Sequence, residues 1–374
     1  MTSPQASPAR IPTLDGWRGL AILLVLLEHA GQYGRFKDRM WTHLGSFGVD
    51  IFFVLSGYLI TTGLIRERER DSNIDLRGFY LRRAFRILPP VVIYLAALCL
   101  ISLFLKLEDF HWQEVAGSLF FFRNYQFAAH PRDLYTVQFW SLSIEEHFYL
   151  VWPAALLYFG NRRGLWAALC GSFACAVWRV YDAANPSSLL GRFLPGSIPR
   201  LRLFRTDARF DGLLLGCALA LLLARPAVRS FIFRNFPKET PLIAGIFIFL
   251  DLQQTNGYPS LISYLLITVM LASTLIVKEG LAHQWLNFRP LVWVGTISYS
   301  LYIWQQIFLL HHTGDFLMGR LSTFPFNLVG ALVVAVGSFY LIERPMIELG
   351  KQLYARKVYA PPPAEGAAMV IENA

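Results

Sequence analysis

The length and clustering of the apolar runs constrain this chain more than any other feature. The first run is plain near the N-terminus, where eight of the nine residues from Leu20 to Glu28 are apolar. A run of about 17–25 apolar residues is long enough to cross the hydrocarbon core of a bilayer as a helix. Only 16% of the residues are charged, against about 25% in a typical soluble domain. The pattern therefore favours a membrane protein over the alternative, a soluble protein with a very large core.

The apolar runs predict an all-α fold, a polytopic transmembrane helical bundle of about ten spans. The predicted spans cover residues 14–33, 45–65, 89–106, 138–159, 163–183, 210–225, 241–253, 259–277, 291–311 and 325–342. The seventh is short. Together they form one transmembrane domain, residues 14–345, between an N-terminal tail (1–13) and a Pro/Ala-rich C-terminal tail (346–374).

The distribution of Lys and Arg predicts that both termini are cytoplasmic. With the N-terminus inside, twenty of these residues fall in cytoplasmic segments and twelve in outer ones, as the positive-inside rule expects. The segment 184–209 supplies five of the outer twelve and is the main exception. The predicted location is the cytoplasmic membrane. Because the basic loops account for the net charge of +9, nucleic acid is not a predicted partner.

Arg18 and His29 are ionisable residues inside the first predicted span. On a helix, eleven residues amount to three turns plus about 20°, so both side chains face the same way, about 16 Å apart along the axis. Ionisable residues within a span usually face the protein interior or an aqueous cavity and mark a function. The alternative is that Arg18 snorkels to lipid phosphates and His29 is an interfacial polar group.

Asp50 precedes the apolar run of the second predicted span. Its position favours a cap, in which the carboxylate accepts hydrogen bonds from the backbone at a helix N-terminus. It is also a candidate for orienting His29 from a neighbouring helix. Glu28 and Glu145 are further candidates for that orienting role, and the sequence leaves the three open.

Arg82, Arg83 and Arg86 form a basic cytoplasmic segment among aromatic residues, before a Pro-Pro pair predicted to end that segment and open the next span. Arg83 and Arg86 share one helical face. Guanidinium groups bind phosphates bidentately, so these residues are candidates for gripping a phosphate-bearing cosubstrate. Binding of lipid headgroups is the alternative.

A polar and aromatic stripe begins the span at 138–159, made of Trp140, Ser141, Glu145 and Tyr149. Ser141 as an N-cap and Glu145 as a complement to the helix dipole are the purely structural explanation. The same stripe suits a sugar-like acceptor, since the carboxylate can bind hydroxyls and an aromatic face can pack on the ring. Hydroxyls at 298–302 are expected to bond across helices rather than to catalyse.

No phosphate-binding loop, nucleophile elbow, zinc motif or dinucleotide fingerprint occurs in the sequence, so none of the reactions that these motifs serve is indicated. Two classes other than an enzyme are compatible with a charged polytopic bundle. One is a transporter or flippase of a lipid-linked glycan, and the other is a non-catalytic membrane assembly factor.

The chain resembles the membrane-bound acyltransferase-3 family, which O-acylates surface polysaccharides and related molecules. The resemblance extends from about Leu14 to Pro345 and lies in the ordered set LDGWRGLAILLVLLEH, FGVDIFFVLSGYLI, FYLRRAFRILPP, QFWSLSIEEHFYLVWP, RFDGLLLG, ISYSLYIWQQ and IERP. It implies an acyl-CoA cosubstrate, acetyl-CoA by default, no bound cofactor or metal, and a glycan acceptor.

The resemblance also implies roles for individual residues. Arg18 and His29 match the family's R-x10-H pair, with His29 as catalytic base or acyl carrier, and Arg83 and Arg86 match its R-x-x-R, implicated in handling the acyl donor. Ser141 and Glu145 match its S-x-x-x-E. Asp50 falls at the family's G-x-D-x-F-F position. Together with the basic segment and the polar and aromatic stripe described above, these matches assign Arg18, Arg82, Arg83 and Arg86 to the donor, Trp140, Ser141 and Tyr149 to the acceptor, and His29, Glu145 and Asp50 to catalysis.

One departure from the family pattern lies in the ninth predicted span. Relatives commonly read Y-L-W-H there, whereas this chain has Tyr302, Ile303, Trp304 and Gln305. Without the histidine, neither an acceptor-binding nor a proton-transfer role is predicted for position 305, and the usual type of acceptor is not implied.

Overall fold

The computed structural model describes residues 11–32, 43–105, 110–129, 135–185, 204–255, 260–309 and 323–358, and these residues form an all-helical fold. Most of the predicted tails, residues 1–10 and 359–374, and most of the segment 184–209 lie outside the described residues. The helices are α1 Pro12–Gln32, α2 Leu44–Asp71, α3 Leu76–Leu105, α4 Trp112–Leu119, α5 Arg123–Ala129, α6 Phe139–Ala184, α7 Phe210–Leu223, α8 Pro226–Asn235, α9 Thr240–Gln254, α10 Leu261–Ile276, α11 Gly280–Leu286, α12 Arg289–Thr296, α13 Ser298–Leu309, α14 Phe326–Ser338 and α15 Arg344–Val358. A π-helix, Phe339–Glu343, joins the last two.

Several of these helices are long and apolar enough to cross a membrane. By length and composition, four described helical segments meet this requirement, or up to six if each of two sharply bent pairs, α7 with α8 and α10 with α11, counts as one span. The described parts of the ten predicted segments are mainly helical, and the segment 291–311 is divided between α12 and α13. Helix α1 is not among the four, and any 18-residue stretch of it contains three charged residues, Asp15, Arg18 and Glu28.

Helix α2 is the most buried of the long helices, and α1 and α7 pack most extensively against it. In its most apolar stretch 72% of the residues are buried, against 28% to 39% in the comparable stretches of the other three candidate spans. The other candidate spans expose large apolar side chains, among them Phe104 at 83% and Leu341 at 79% exposure. Such extensive apolar exposure is typical of a surface in contact with lipid.

Helix α6 reverses direction at Gly160, where the backbone has a φ of 68°. His147 lies 2.7 Å from the hydroxyl of Thr206, and Trp178 donates to the neighbouring Asp207 at 2.7 Å. In a straight helix, residues 147 and 178 would be about 46 Å apart, so the two halves must fold back on each other. A positive φ is readily adopted by glycine, and the sequence prediction of two segments separated near residue 160 is confirmed as a break.

Two expectations about α3 and the C-terminal segment differ from the structure. The Pro-Pro pair does not end a segment, because α3 runs without interruption from Leu76 to Leu105 through Pro89 and Pro90. A proline removes the hydrogen bond to the carbonyl four residues earlier, here those of Phe85 and Arg86, and such losses are tolerated in membrane helices. The sequence predicted a C-terminal tail from residue 346. In the structure, helix α15 continues to Val358 and packs against α3 through Tyr354.

Helices α2 and α7 approach so closely that glycine is required where they cross. A β-carbon on Gly57 would lie 1.9 Å from the carbonyl oxygen of Leu213, and one on Gly216 would lie 2.1 Å from that of Val54. Small residues of this kind allow membrane helices to pack backbone against backbone. We expect Gly57→Ala to destabilise the protein by about 1–3 kcal/mol, the usual cost of overpacking, seen as a lower thermal midpoint in detergent.

Gly63 offers a matched control in the same helix. A β-carbon there would meet no atom within 4 Å, so Gly63→Ala is expected to leave the midpoint unchanged or raise it slightly, since alanine favours helix. Equal midpoints for the two variants would contradict the close α2–α7 contact.

Candidate active site

Three of the four arginines predicted to bind the donor line a single cavity between α1, α2, α3, α6 and α13. This arginine cavity has a volume of about 90 Å³ and contains Arg18 of α1 with Arg83 and Arg86 of α3. Its polar lining is completed by Ser56, Ser141, Glu145, Tyr149, Ser298, Tyr299 and Tyr302. The R-x-x-R face of α3 therefore meets α1 at this cavity.

The charges around the arginine cavity leave room for an anion. Glu145 is the carboxylate among its described lining residues, so guanidinium groups outnumber carboxylates three to one. The guanidinium of Arg83 stacks over the ring of Tyr149 at 3.7 Å, and its buried Nε finds no hydrogen-bond partner within the described part of the chain. Guanidinium groups held in this way suit phosphate, which they bind through charge-assisted hydrogen bonds.

Arg82, the fourth predicted donor residue, lies outside this cavity. It pairs with Glu67 at 3.0 Å, and its guanidinium lies over the ring of Tyr354 on α15 at 4.6 Å. Consecutive helical residues point about 100° apart, so Arg82 faces a different set of helices from Arg83. Its contacts join α2, α3 and α15.

The stripe on α6 divides between two cavities. Glu145 accepts hydrogen bonds from Ser56 at 2.7 Å and from Tyr149 at 3.0 Å, and all three line the arginine cavity. Ser141 is not an N-cap, because α6 begins at Phe139; its hydroxyl lies 2.5 Å from that of Tyr302. Trp140 points into a second cavity instead.

The second cavity contains His29 and has a volume of about 220 Å³. This histidine cavity is lined by Glu28 and His29 from the end of α1, the start of α2, Gln138 and Trp140 at the start of α6, and Gln306 of α13. The Nδ1 atom of His29 lies 3.4 Å from Oε1 of Gln305. A proton on Nδ1 would let this nitrogen donate to the amide oxygen and would leave Nε2 as the basic nitrogen.

The two cavities adjoin through one layer of side chains. Val49 and Tyr302 line both of them. Tyr302 is held by Ser141 and by the carbonyl of Gln138 at 3.1 Å, and Phe52 contacts its ring edge-on. Arg18 and His29 lie on one continuous helix, α1. Arg18 lines the arginine cavity and His29 lines the histidine cavity.

Neither Asp50 nor Glu28 contacts His29 through a hydrogen bond that the structure shows. Helix α2 begins at Leu44, so Asp50 lies in its second turn and cannot cap it; Glu28 accepts instead from the backbone of Gly45 at 2.5 Å. Asp50 is buried and accepts from Arg209 at 2.8 Å and from Tyr264 at 2.9 Å. The guanidinium of Arg209 in turn lies 5.3 Å from the ring centroid of Trp140, so Arg209 links Asp50 to a residue of the histidine cavity.

The structure adds residues that sequence reasoning did not single out. Gln305 was noted as a departure from the family pattern, but its contact with His29 depends on how α13 packs against α1. Gln138 and Gln306 lie at the ends of the quoted motifs QFWSLSIEEHFYLVWP and ISYSLYIWQQ, but no role was predicted for either. The hydroxyls of α13 do bond across helices, as predicted, from Tyr302 to Ser141 and from Ser300 to Glu343 at 2.8 Å.

These features define a helical membrane protein with two adjoining cavities, the arginine cavity and the histidine cavity, which share Val49 and Tyr302 in their linings. The family model described as an acyltransferase domain matches residues 11–344. The chain belongs to this acyltransferase family, which confirms the resemblance carried by the sequence motifs.

Curated relatives support the same assignment. The chain is 29% identical over 370 residues to the peptidoglycan O-acetyltransferase OatA of Listeria monocytogenes, covering 91% of this chain and 56% of that protein. It is 29% identical over 374 residues to the putative peptidoglycan O-acetyltransferase YrhL of Bacillus subtilis, with 93% and 57% coverage. For the O-acetyltransferase OatA of Staphylococcus aureus the identity is 28% over 374 residues, with 93% and 59% coverage. The chain thus spans less than three-fifths of these relatives' length. No solved structure matches it.

Proposed function

We propose that the protein is a membrane O-acyltransferase that moves an acyl group, acetyl by default, from acyl-CoA to a hydroxyl of a cell-envelope glycan. The observation that carries this proposal is the juxtaposition of the arginine and histidine cavities along α1. Arg18 and His29 lie eleven residues apart on that helix, a separation of about 16 Å. The names of the relatives indicate peptidoglycan as an acceptor of this class.

The donor is proposed to bind with its phosphates in the arginine cavity. Arg18, Arg83 and Arg86 supply three guanidinium groups there, and the extended arm of CoA carries its thioester past Tyr302 toward His29. This arrangement explains why the anion-binding groups and the histidine are separated by three helical turns. A phosphate site beside the histidine would leave the long arm without a path.

His29 is proposed to act as general base. Its Nε2 takes the proton of the acceptor hydroxyl as that oxygen attacks the thioester carbonyl. The new C–O bond forms as the C–S bond breaks, and the proton passes from the imidazolium to the CoA thiolate, which leaves as the free thiol. In the variant with a covalent intermediate, the imidazole itself first accepts the acyl group.

The topology proposed for this reaction has about ten spans with both termini in the cytoplasm. The reversal of α6 at Gly160 and the mainly helical state of the described parts of the predicted segments support it. The arginine cavity then faces the cytoplasmic side, where acyl-CoA is found, and His29 lies toward the outer side. The protein would thereby pass an acyl group across the cytoplasmic membrane to an acceptor outside.

A direct test uses the purified protein in lipid nanodiscs with radiolabelled acetyl-CoA and a peptidoglycan disaccharide. We expect alkali-labile label on the disaccharide and an equal amount of free CoA. The competing transporter hypothesis predicts movement of a glycan across liposomes with no release of CoA. That result, together with no labelled ester, would refute the proposed activity.

A further inference from the structure

We propose that the histidine cavity is the subsite for the sugar ring that bears the acceptor hydroxyl. In this assignment Gln138 and Gln306 bind the ring's other hydroxyls, and Trp140 packs against its apolar face. The assignment rests on the proposed acyltransferase activity and specifies where, and through which groups, that activity would recognise its acceptor.

Two buried amide oxygens point to a hydroxyl-bearing ligand. Gln306 is 4% exposed and Gln138 is 2% exposed, both line the histidine cavity, and the Oε1 atom of each has no hydrogen-bond partner in the described part of the chain. Gln138 is held in place because its Nε2 donates to the carbonyl of Ile303 at 3.0 Å. Buried acceptors are almost always satisfied in native proteins, so a donor belongs in this cavity.

The charge of the cavity selects a neutral or hydroxyl-rich ligand over an anionic one. Among its described lining residues there is no Lys or Arg, whereas Glu28 is present. A phosphate-bearing donor is therefore directed to the arginine cavity, which carries three guanidinium groups. The opposite character of the two adjoining cavities gives each substrate of a two-substrate reaction its own site.

Trp140 is fixed as an aromatic wall of the histidine cavity. Phe204 contacts it edge-on with ring centroids 4.7 Å apart, and the guanidinium of Arg209 lies 5.3 Å from the ring centroid. Asp50 holds that guanidinium at 2.8 Å, which assigns Asp50 a positioning role behind the wall. Aromatic rings that present an apolar surface beside polar groups are typical of ligand sites.

The test is the steady-state kinetics of Gln306→Leu and Gln138→Leu with radiolabelled acetyl-CoA and a peptidoglycan disaccharide. Each variant loses one hydrogen bond to the sugar, so we expect the KM for the disaccharide to rise about 3- to 10-fold. The KM for acetyl-CoA should change much less, because neither residue lines the arginine cavity. Gln306→Glu keeps an acceptor oxygen at the same reach and should restore much of the lost affinity.

Gln126→Leu is the matched control and should leave the KM for the disaccharide unchanged. Its Oε1 also lacks a partner in the described part of the chain, but Gln126 lines neither cavity. If the KM for the disaccharide is unchanged in folded Gln306→Leu and Gln138→Leu while wild-type protein transfers acetyl groups, the subsite assignment is overturned and the activity stands. If wild-type protein transfers none, the activity itself fails. Should the leucine variants not fold, Trp140→Phe replaces them, and its KM for the disaccharide is expected to rise while that of Gln306→Glu stays near the wild-type value. An unchanged KM in Trp140→Phe would then overturn the subsite assignment.

Discussion

Replacement of His29 by glutamine is expected to lower the turnover number for acetyl transfer by about 10²–10⁴-fold. Glutamine can still hydrogen-bond in the histidine cavity, but it cannot take the proton of the acceptor hydroxyl. Since the proton moves in the transition state, the KM values for both substrates should change little. Initial rates with purified protein, radiolabelled acetyl-CoA and a peptidoglycan disaccharide measure the effect.

His147 provides the control for this prediction. It is a histidine on α6 whose Nδ1 lies within hydrogen-bonding distance, 2.7 Å, of the hydroxyl oxygen of Thr206. It lines neither cavity. His147→Gln keeps a hydrogen-bonding side chain there and should retain wild-type turnover. Unchanged turnover in His29→Gln, in protein with a wild-type thermal midpoint, would remove His29 from the chemistry and leave only the arginine cavity in support of an acyltransferase mechanism.

The sequence predicted the features that depend on one helix at a time. Apolar runs of bilayer length predicted helices. The eleven-residue spacing of Arg18 and His29 predicted that both side chains face the same way, because helical periodicity is a local property. The R-x-x-R spacing likewise predicted that Arg83 and Arg86 share a face, and both line the arginine cavity.

Features that depend on contacts between helices could not be predicted in the same way. The partner of Asp50 is Arg209, 159 residues away in sequence, and that pairing follows from how α2 packs against the start of α7. Arg82 is adjacent to Arg83 in sequence, yet it pairs with Glu67 because the neighbouring helix on that side is different. Sequence spacing gives the direction of a side chain but not what it meets.

Gln305 shows how a departure from a family pattern gains meaning from structure. From the sequence, it was a missing histidine at a position with no known contacts. In the structure its amide oxygen faces Nδ1 of His29 at 3.4 Å, so the position belongs to the surroundings of the proposed base. An amide in place of imidazole can orient a histidine but cannot relay a proton, which is why the proposed mechanism assigns proton transfer to His29.

The second large effect is expected at the donor site. Arg83→Ala and Arg86→Ala should each raise the KM for acetyl-CoA by about 10–100-fold, because a hydrogen bond to a charged group contributes about 1.5–3 kcal/mol. Turnover at saturating acetyl-CoA should fall less, since the phosphates are remote from the thioester. Steady-state rates against acetyl-CoA concentration, at fixed disaccharide, separate the two quantities.

The arginine replacements also distinguish donor binding from lipid anchoring, the alternative explanation for this basic helix. Arg77 is an exposed residue of the same helix, α3, so Arg77→Ala removes the same charge without touching the arginine cavity and should leave the KM for acetyl-CoA unchanged. Arg83→Lys keeps the charge but loses the planar fork that binds phosphate bidentately, and an intermediate KM is expected. If Arg77→Ala, Arg83→Ala and Arg86→Ala instead lower the amount of membrane-inserted protein equally and leave KM alone, these arginines bind headgroups. The donor would then have to bind elsewhere.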